Sequence, residues 1–268
     1  MLNRFKYYIK IYFLLISKFI KARMAYRADF IISLLGIFIE NTLGLLFYSV
    51  VFMRISYIGD WSYDDLLFIY GFLVTASSFF YIFFGNMFNL KSYVVTGEFT
   101  KFYYRPINMF FSFVAESIDI KPIFQFLIGI YLLLISSNAL DIAWDLQAVL
   151  LLSFLIISSG IIIISIMTIC ASLGFWVRDP SIIMDFMLKI KDYSKYPLTI
   201  YGKFMRIFLT FIIPLGFMSF YPSLLFLRST VLQYIWVIPL QLIVTVIFFL
   251  LAVMIFHKGT KFYDGVGS

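Results

Sequence analysis

KSYVVTGEFTKFYYR (Lys91–Arg105) is a basic, polar stretch that lies between two long apolar runs. Pro106 follows it and disfavours helical geometry at Arg105, so a helix boundary is expected there. The flanking runs have the composition of membrane-embedded helices, and a polar loop between such helices is where an integral membrane protein meets soluble partners. We therefore interpret Lys91–Arg105 as a contact site for a partner outside the membrane.

The composition of the whole chain indicates a helical membrane protein. Of its 268 residues, 63% are hydrophobic and 13% are charged, whereas soluble domains are about half apolar and about a quarter charged. The apolar runs are unbroken and close to the roughly 20 residues that a membrane-spanning helix needs. A porin-like barrel would instead show alternating segments of about ten residues. The predicted fold class is all-α integral membrane, with residues 1–268 as a single transmembrane domain.

The apolar runs predict six transmembrane helices, at about 30–53, 66–88, 121–137, 147–175, 207–227 and 232–256. Residues 1–29 interleave apolar residues with Lys and Arg, which predicts an amphipathic helix in the membrane interface. The alternative for this segment is a basic anchor that only fixes orientation. If both termini are cytoplasmic, 19 of the 21 Lys and Arg residues lie on the cytoplasmic side, and Arg54 and Arg228 are the other two. This bias is the one expected from the positive-inside rule.

The position of the fifth span is less clear than that of the others. Pro214, Gly216 and Pro222 interrupt residues 207–227, which predicts either a kinked span or a span with a short re-entrant piece. In the alternative, 181–201 enters the membrane and 207–227 forms a re-entrant hairpin. The insertion cost of the Lys and Asp residues within 181–201 counts against this alternative.

Glu40 and Asn41 are polar residues in the first predicted span, and Gly36 and Gly44 flank them. A charged group near mid-membrane costs about 2.5–3.5 kcal/mol on insertion scales, so it should face protein or water. One interpretation is that the pair lines a translocation pathway. The other is an interhelical hydrogen bond, with the glycines allowing close packing.

The two prolines at 214 and 222 allow a similar choice of interpretation. Pro214 and Pro222 either form a jointed element near a pathway or mark the ends of helices.

No catalytic or metal site is predicted. The chain contains no GxxxxGK[ST] and no HExxH motif, and it has one histidine, His257, and one cysteine, Cys170. The basic residues follow the topology rule, so nucleic-acid binding is not expected. A chain of spans and polar loops without an energy source suggests a separate ATPase, and 89–120 and 176–206 are the sizeable loops where it could dock.

Three motifs resemble those of a known family. The first is Gly97, Glu98 and Phe99 followed by Arg105 and Pro106. The second is a stretch that contains Tyr196, Pro197, Ile200, Tyr201, Arg206, Leu209, Thr210, Phe211, Ile213, Pro214, Tyr221 and Pro222, and the third is the ending KFYDGVGS at 261–268. In their order and spacing they resemble the membrane subunit of type-2 ABC transporters, specifically a group of bacterial permeases.

The resemblance implies an exporter of the bacterial inner membrane whose ATP and Mg are bound by separate ATPase subunits. It also implies pairing with a second permease, identical or different. The loop after the second span would hold a cytoplasmic coupling helix, which assigns contact with the ATPase to Gly97, Glu98, Phe99, Lys101, Arg105 and Pro106. The alternative for this loop is a solvated segment whose charges only satisfy topology. The alternative functions are a non-catalytic membrane scaffold and an intramembrane lipid-modifying enzyme.

Overall fold

The computed structural model describes residues 27–177, 179–227 and 231–263, and these are predominantly helical without a strand. In chain order the helices are α1 (Arg27–Phe52), α2 (Tyr63–Phe83), α3 (Leu90–Val95), α4 (Met109–Val114), α5 (Pro122–Ala139), α6 (Leu146–Ser172), α7 (Ser181–Asp192), α8 (Lys203–Phe211), α9 (Phe220–Leu227), α10 (Val231–Tyr234) and α11 (Val237–Phe262). The predicted all-α membrane class is confirmed. The predicted interfacial helix at 1–29 falls almost entirely outside the described residues.

Within the described residues, five helices are long and apolar enough to cross a membrane: α1, α2, α5, α6 and α11. They correspond to five of the six predicted spans. The largest differences are at α11, which begins five residues later and ends six residues later than expected. Helix α2 also differs at both ends. It begins earlier than expected because Ser62 caps it: the Asp65 backbone N–H donates to Ser62 Oγ (3.2 Å), and the Ser62 backbone N–H donates to Asp65 Oδ2 (2.9 Å). It ends earlier because a 3-10 helix, Gly85–Asn89, replaces the last predicted turn.

The centre of the bundle is α2, which is buried along most of its length. It packs closely against α5, and small residues permit this approach. A Cβ atom added at Gly71 would lie 2.9 Å from Leu132 Cβ, and one added at Gly129 would clash with Thr75. Close helix packing through small residues is typical of membrane proteins, where helices gain little from hydrophobic burial against one another.

The bundle has two ends, which we name by their chemistry. The basic end carries Lys91, Lys101 and Arg105, and the distal end carries Trp61 and Trp144. The last helix, α11, runs alongside α6 in the same direction: Thr245 Oγ1 donates to the Ser158 carbonyl at 3.4 Å, and Gly259 lies against Phe175 near the basic end.

The structure differs from the expected fifth span at 207–227. Helix α8 ends at Phe211, a 3-10 helix follows at Leu215–Met218, and α9 begins at Phe220. The buried Phe217 carbonyl accepts hydrogen bonds from Ser159 Oγ (2.9 Å) and Gln241 Nε2 (3.0 Å). Because α9 then contacts Trp144 at the distal end through Phe226, the segment dips into the bundle and returns. Pro214 and Pro222 are both buried in this re-entrant piece.

Residues 181–201 cross the bundle instead, and we name them the traversing segment. Sequence reasoning disfavoured this alternative. This segment begins next to Asp179, whose Oδ1 lies 2.7 Å from Lys91 Nζ at the basic end. It reaches the distal end at Thr199, whose Oγ1 accepts a hydrogen bond from Trp61 Nε1 (2.7 Å). The insertion cost counts against this path only if the Lys and Asp side chains of 181–201 face lipid. In the structure Lys191 is buried instead, at 7% exposure.

Candidate functional site

The predicted coupling segment folds as two short helices at the basic end. Helix α3 ends at Val95, and a 3-10 helix follows at Glu98–Phe102. Gly97 joins them with φ of 78°, a left-handed conformation that favours glycine because a Cβ atom would be strained there. We name Gly97–Arg105 the loop element.

Phe99 anchors the loop element on an aromatic core and is fully buried. Its ring centroid lies 5.1 Å from that of Phe175 at the end of α6 and 6.3 Å from that of Phe256 in α11. It also lies 5.7 Å from Phe113 in α4 and 5.3 Å from Tyr263 after α11. Aromatic pairs at these distances contribute about 0.5–1.5 kcal/mol each beyond the area that they bury. The loop element is therefore held against the ends of two candidate spans.

An ion cluster around Glu116 fixes the other side of the loop element. Arg105 Nη1 lies 2.6 Å from Glu116 Oε2 and 3.1 Å from Ser112 Oγ, and Lys101 Nζ lies 3.0 Å from Glu116 Oε1. The Arg105 guanidinium also lies 5.0 Å from the Phe102 ring centroid. Burial alone would raise the pKa of Glu116, but the hydrogen bonds from Arg105 and Lys101 outweigh it and lower this pKa below its usual value. The carboxylate is thus ionised and fully engaged.

Two side chains of the loop element point outward. Glu98 has 62% of its side chain exposed, with Lys101 Nζ 4.0 Å away, and Tyr104 is 82% exposed. Pro106 is exposed directly after the element. The structure thus separates the predicted residues into an anchor (Phe99), braces (Lys101 and Arg105) and an outward acid (Glu98). Sequence reasoning did not single out Tyr104, although it lies in the quoted stretch, nor the role of Glu116, which is visible only in three dimensions.

Further contacts connect the loop element to the rest of the basic end. Asn86 Nδ2 donates to the Phe113 carbonyl at 2.7 Å, which ties the end of α2 to α4. Tyr103 OH donates to the carbonyl of Thr260 in α11.

The two polar stretches that flank α5 and α6 also meet at this end. Lys91 and Asp179 form an exposed ion pair, and the hydrogen bond from Lys91 lowers the pKa of the Asp179 carboxyl.

Glu40 and Asn41 line a polar groove of about 890 Å³ between α1, α2, α5 and the 181–201 segment. Asn41 is buried, donates to the Ile37 carbonyl (2.8 Å) and accepts from Tyr70 OH (3.3 Å). Glu40 is exposed in the groove. The same groove receives Lys191 and Lys195 from the traversing segment. The structure therefore brings the two polar residues of the first span together with charges that lie about 150 residues later in the sequence.

Pro214 and Pro222 do not line this groove. Among the described residues there is no group of three or more His, Cys, Asp or Glu that could hold a metal ion.

The chain was compared with known proteins in three ways. Residues 38–267 match the sequence model of a family described as "ABC-2 family transporter protein". A search of the curated proteins and a search of the solved structures each give no match.

Proposed function

Because the chain belongs to the ABC-2 family of transporter proteins, we propose that it is the membrane subunit of an ATP-driven exporter in a bacterial inner membrane. In this proposal it works with separate ATPase subunits, which bind ATP and Mg, and with a second permease that completes the substrate pathway. Both termini would be cytoplasmic, which places the basic end of the bundle on the side where ATP is available.

The proposal rests on one observation: the loop element has an exposed side and, opposite it, a buried side that contacts the ends of candidate spans. Glu98 and Tyr104 present an exposed acid and an exposed ring. Behind them, Phe99 contacts Phe175, in the 3-10 turn that follows α6, and Phe256 of α11. A solvated loop that only satisfied topology would not need a fully buried aromatic anchor. Movement of a partner against the exposed side would be passed to the candidate spans with little loss in the loop itself.

A second connection would extend this movement to the traversing segment. The ion pair between Lys91 and Asp179 joins the start of α3 to the chain two residues before α7. Rotation of α3 would therefore act on 181–201, which lines the groove that holds Glu40 and Asn41. We assign the pathway to this groove because charged side chains from α1, from the residues before α5 and from the traversing segment line a cavity there within a largely apolar bundle.

The test is co-purification of the tagged chain from gently solubilised membranes, with ATP hydrolysis measured in the purified sample. Wild-type chain is expected to bring an ATPase with it. The double variant Glu98→Gln/Tyr104→Ala should retain the chain in the membrane and lose most of the associated activity. Asp64→Asn, which makes a matched charge change at the opposite end of α2, should leave it unchanged.

Wild-type chain without associated ATPase activity would contradict the proposal. Equal activity in the double variant and in Asp64→Asn would reject the loop element as the contact. A chain that purifies alone and modifies lipids would instead favour the intramembrane enzyme, and one without either activity would favour the scaffold.

A further inference from the structure

The traversing segment carries more positive charge than its local acids compensate. The segment holds Lys189, Lys191 and Lys195 against two acids, Asp185 and Asp192, and of the two acids Asp192 lines the cavities beside the lysines. Lys191 Nζ lies 3.2 Å from Asp192 Oδ1 and 5.6 Å from the Tyr81 ring centroid. Within the described residues, Lys189 and Lys195 make no ion pair with an acid. Ionisable residues at membrane depth face the protein interior or a water-filled cavity and mark pathways for ions or substrates, so this cluster is a candidate site for a negative ligand.

Lys195 is placed to meet such a ligand in a cavity. It lines the 890 Å³ groove, and it also lines an adjoining cavity of about 290 Å³ together with Lys189, Asp192, Tyr193 and Tyr196. Its own backbone carbonyl accepts from Tyr48 OH at 3.0 Å, which fixes the chain where the side chain emerges. Its ammonium group lies 5.4 Å from the ring centroid of Tyr196 and pairs with no carboxylate in the part of the chain that the structure describes.

The other acids of the groove are already engaged or lie on other helices. Lys121 pairs with Asp29 at 2.9 Å, and the Lys121 backbone N–H donates to Asp119 Oδ1 at 3.1 Å. Glu40 is on α1, across the groove from the traversing segment. A negative group would therefore be attracted to the lysine side of the groove and repelled from the α1 side.

The groove also offers an apolar flank next to the charges. Leu43 and Phe47 of α1 and Leu73 and Val74 of α2 line it. Helix α1 is the least buried of the five candidate spans, so the groove can be entered sideways past this helix. A ligand with a charged head and an apolar tail fits both sides of such a groove, whereas a free ion would leave the apolar flank uncovered.

We propose that this groove and the adjoining cavity bind an amphiphile whose phosphate or carboxylate headgroup has a net negative charge. Lys191 and Lys195 in the groove and Lys189 in the adjoining cavity would hold the head, with the tail along α1 and α2. That the amphiphile is the cargo rests on the proposed function; that it binds at these lysines does not. Lys191, shared with Asp192, would orient the head, and Lys189 and Lys195 would supply the uncompensated charge.

The test measures lipid binding to the purified full chain by native mass spectrometry. The detergent-solubilised protein is titrated with phosphatidylglycerol and, separately, with phosphatidylcholine. Wild-type chain should bind phosphatidylglycerol more tightly. Lys195→Gln and Lys189→Gln should each weaken that binding about tenfold, the loss expected for one hydrogen bond to a charged group. Lys258→Gln, an exposed lysine on α11, serves as the matched control and should bind as the wild type does.

A second arm separates a lipid headgroup from a free anion. Inorganic phosphate is added as competitor at rising concentration. Failure of phosphate to displace phosphatidylglycerol supports the amphiphile, because the tail contributes to binding. Displacement at concentrations similar to those of the lipid would overturn the amphiphile and leave a simple anion site. Lys195→Arg, which keeps the charge, should restore most of the binding lost in Lys195→Gln.

Two results would overturn the proposal: equal binding of the two lipids by the wild type, or lysine variants that bind as well as Lys258→Gln does. Lys191→Met could unfold the chain, so the conclusion depends on the two less buried lysines, with thermal unfolding as the check on folding. Lipid binding that fails while ATPase co-purification succeeds would reject this site and keep the proposed function. The reverse outcome would keep the lipid site and reject the exporter.

Discussion

The loop element and the traversing segment are both polar interruptions of an apolar chain, but their charged side chains differ in whether they have ion partners. In the loop element, Lys101 and Arg105 converge on Glu116 at 3.0 and 2.6 Å, and Phe99 fixes the backbone beneath them. In the traversing segment, Lys195 lies beside the Tyr196 ring in an open groove and forms no ion pair with any described acid. The first arrangement is suited to transmit force, because ion pairs and ring packing hold its side chains in fixed positions. The second is suited to bind, because Lys189 and Lys195 have no ion pair among the described residues.

This difference gives an experimental criterion. A side chain that braces the fold should change the free energy of unfolding when it is replaced. Replacement of a side chain that binds a ligand should weaken ligand binding and change the free energy of unfolding very little. The predictions that follow apply this criterion to both regions.

The largest effect on stability is expected for Phe99→Ala. The side chain is fully buried among rings from α4, α6 and α11, and truncation of a buried Phe typically costs about 3–5 kcal/mol. Thermal unfolding in detergent measures the change. Phe204→Ala, at a ring that is 82% exposed, is the matched control and should unfold close to the wild type. A Phe99→Ala midpoint equal to that of the control would show that the loop element is not braced.

Arg105→Ala should have an intermediate effect. It leaves Glu116, whose side chain is 21% exposed, with Lys101 as its remaining ion partner. Loss of a hydrogen bond to a charged group costs about 1–3 kcal/mol, and partial exposure of Arg105 places the value toward the lower end. Chemical denaturation measures the loss, and Arg105→Lys should recover part of it. If Arg105→Lys recovered none of the stability, the planar shape and reach of the guanidinium, rather than its charge, would fix the carboxylate.

The pH dependence of unfolding should report on the same carboxylate. Because Arg105 and Lys101 lower the pKa of Glu116 in the folded state, its contribution is present above the ordinary carboxyl pKa of about 4.3 and is lost as the pH falls through the lower folded value. Wild-type chain should therefore lose stability on acidification below about pH 4. Glu116→Gln should be less stable at neutral pH and lose less on acidification. Parallel curves for the two proteins would contradict the assignment.

The fold was predictable where each span carries its own signal. Helices α1, α2, α5, α6 and α11 are near-continuous apolar runs, and a run of this length has few other options in a bilayer. The place of the loop element was predictable for the converse reason, because it is the polar gap between two such runs. Its internal structure was less accessible: the positions of Phe99 and Glu116 depend on α4, α6 and α11, which are distant in the sequence.

Hydropathy disfavours 181–201 as a segment that crosses the bundle, because a hydropathy scale gives every residue the same surroundings. Lys189, Lys191, Asp192 and Lys195 would be costly in lipid, and the sequence offers no sign that they face a cavity. Conversely, 207–227 is apolar enough for a span, but it folds into a re-entrant piece that is held by the Phe217 carbonyl. The sequence does mark Glu40 and Asn41, because polar residues are unusual at that depth in a span. Their neighbours in the groove come from another part of the chain and could not be read from local sequence.

The smallest effect on stability is expected for Lys195→Gln, and this variant sharpens the comparison most. The replaced ammonium has no acidic partner among the described residues, so its loss should change the free energy of unfolding by less than about 0.5 kcal/mol. Lys101→Gln makes the same chemical change at a lysine that contacts Glu116, and it should cost more. Denaturation of both variants side by side measures the difference. If Lys195→Gln proved as destabilising as Lys101→Gln, the traversing segment would be braced like the loop element, and its lysines would be engaged in the fold rather than kept for a ligand.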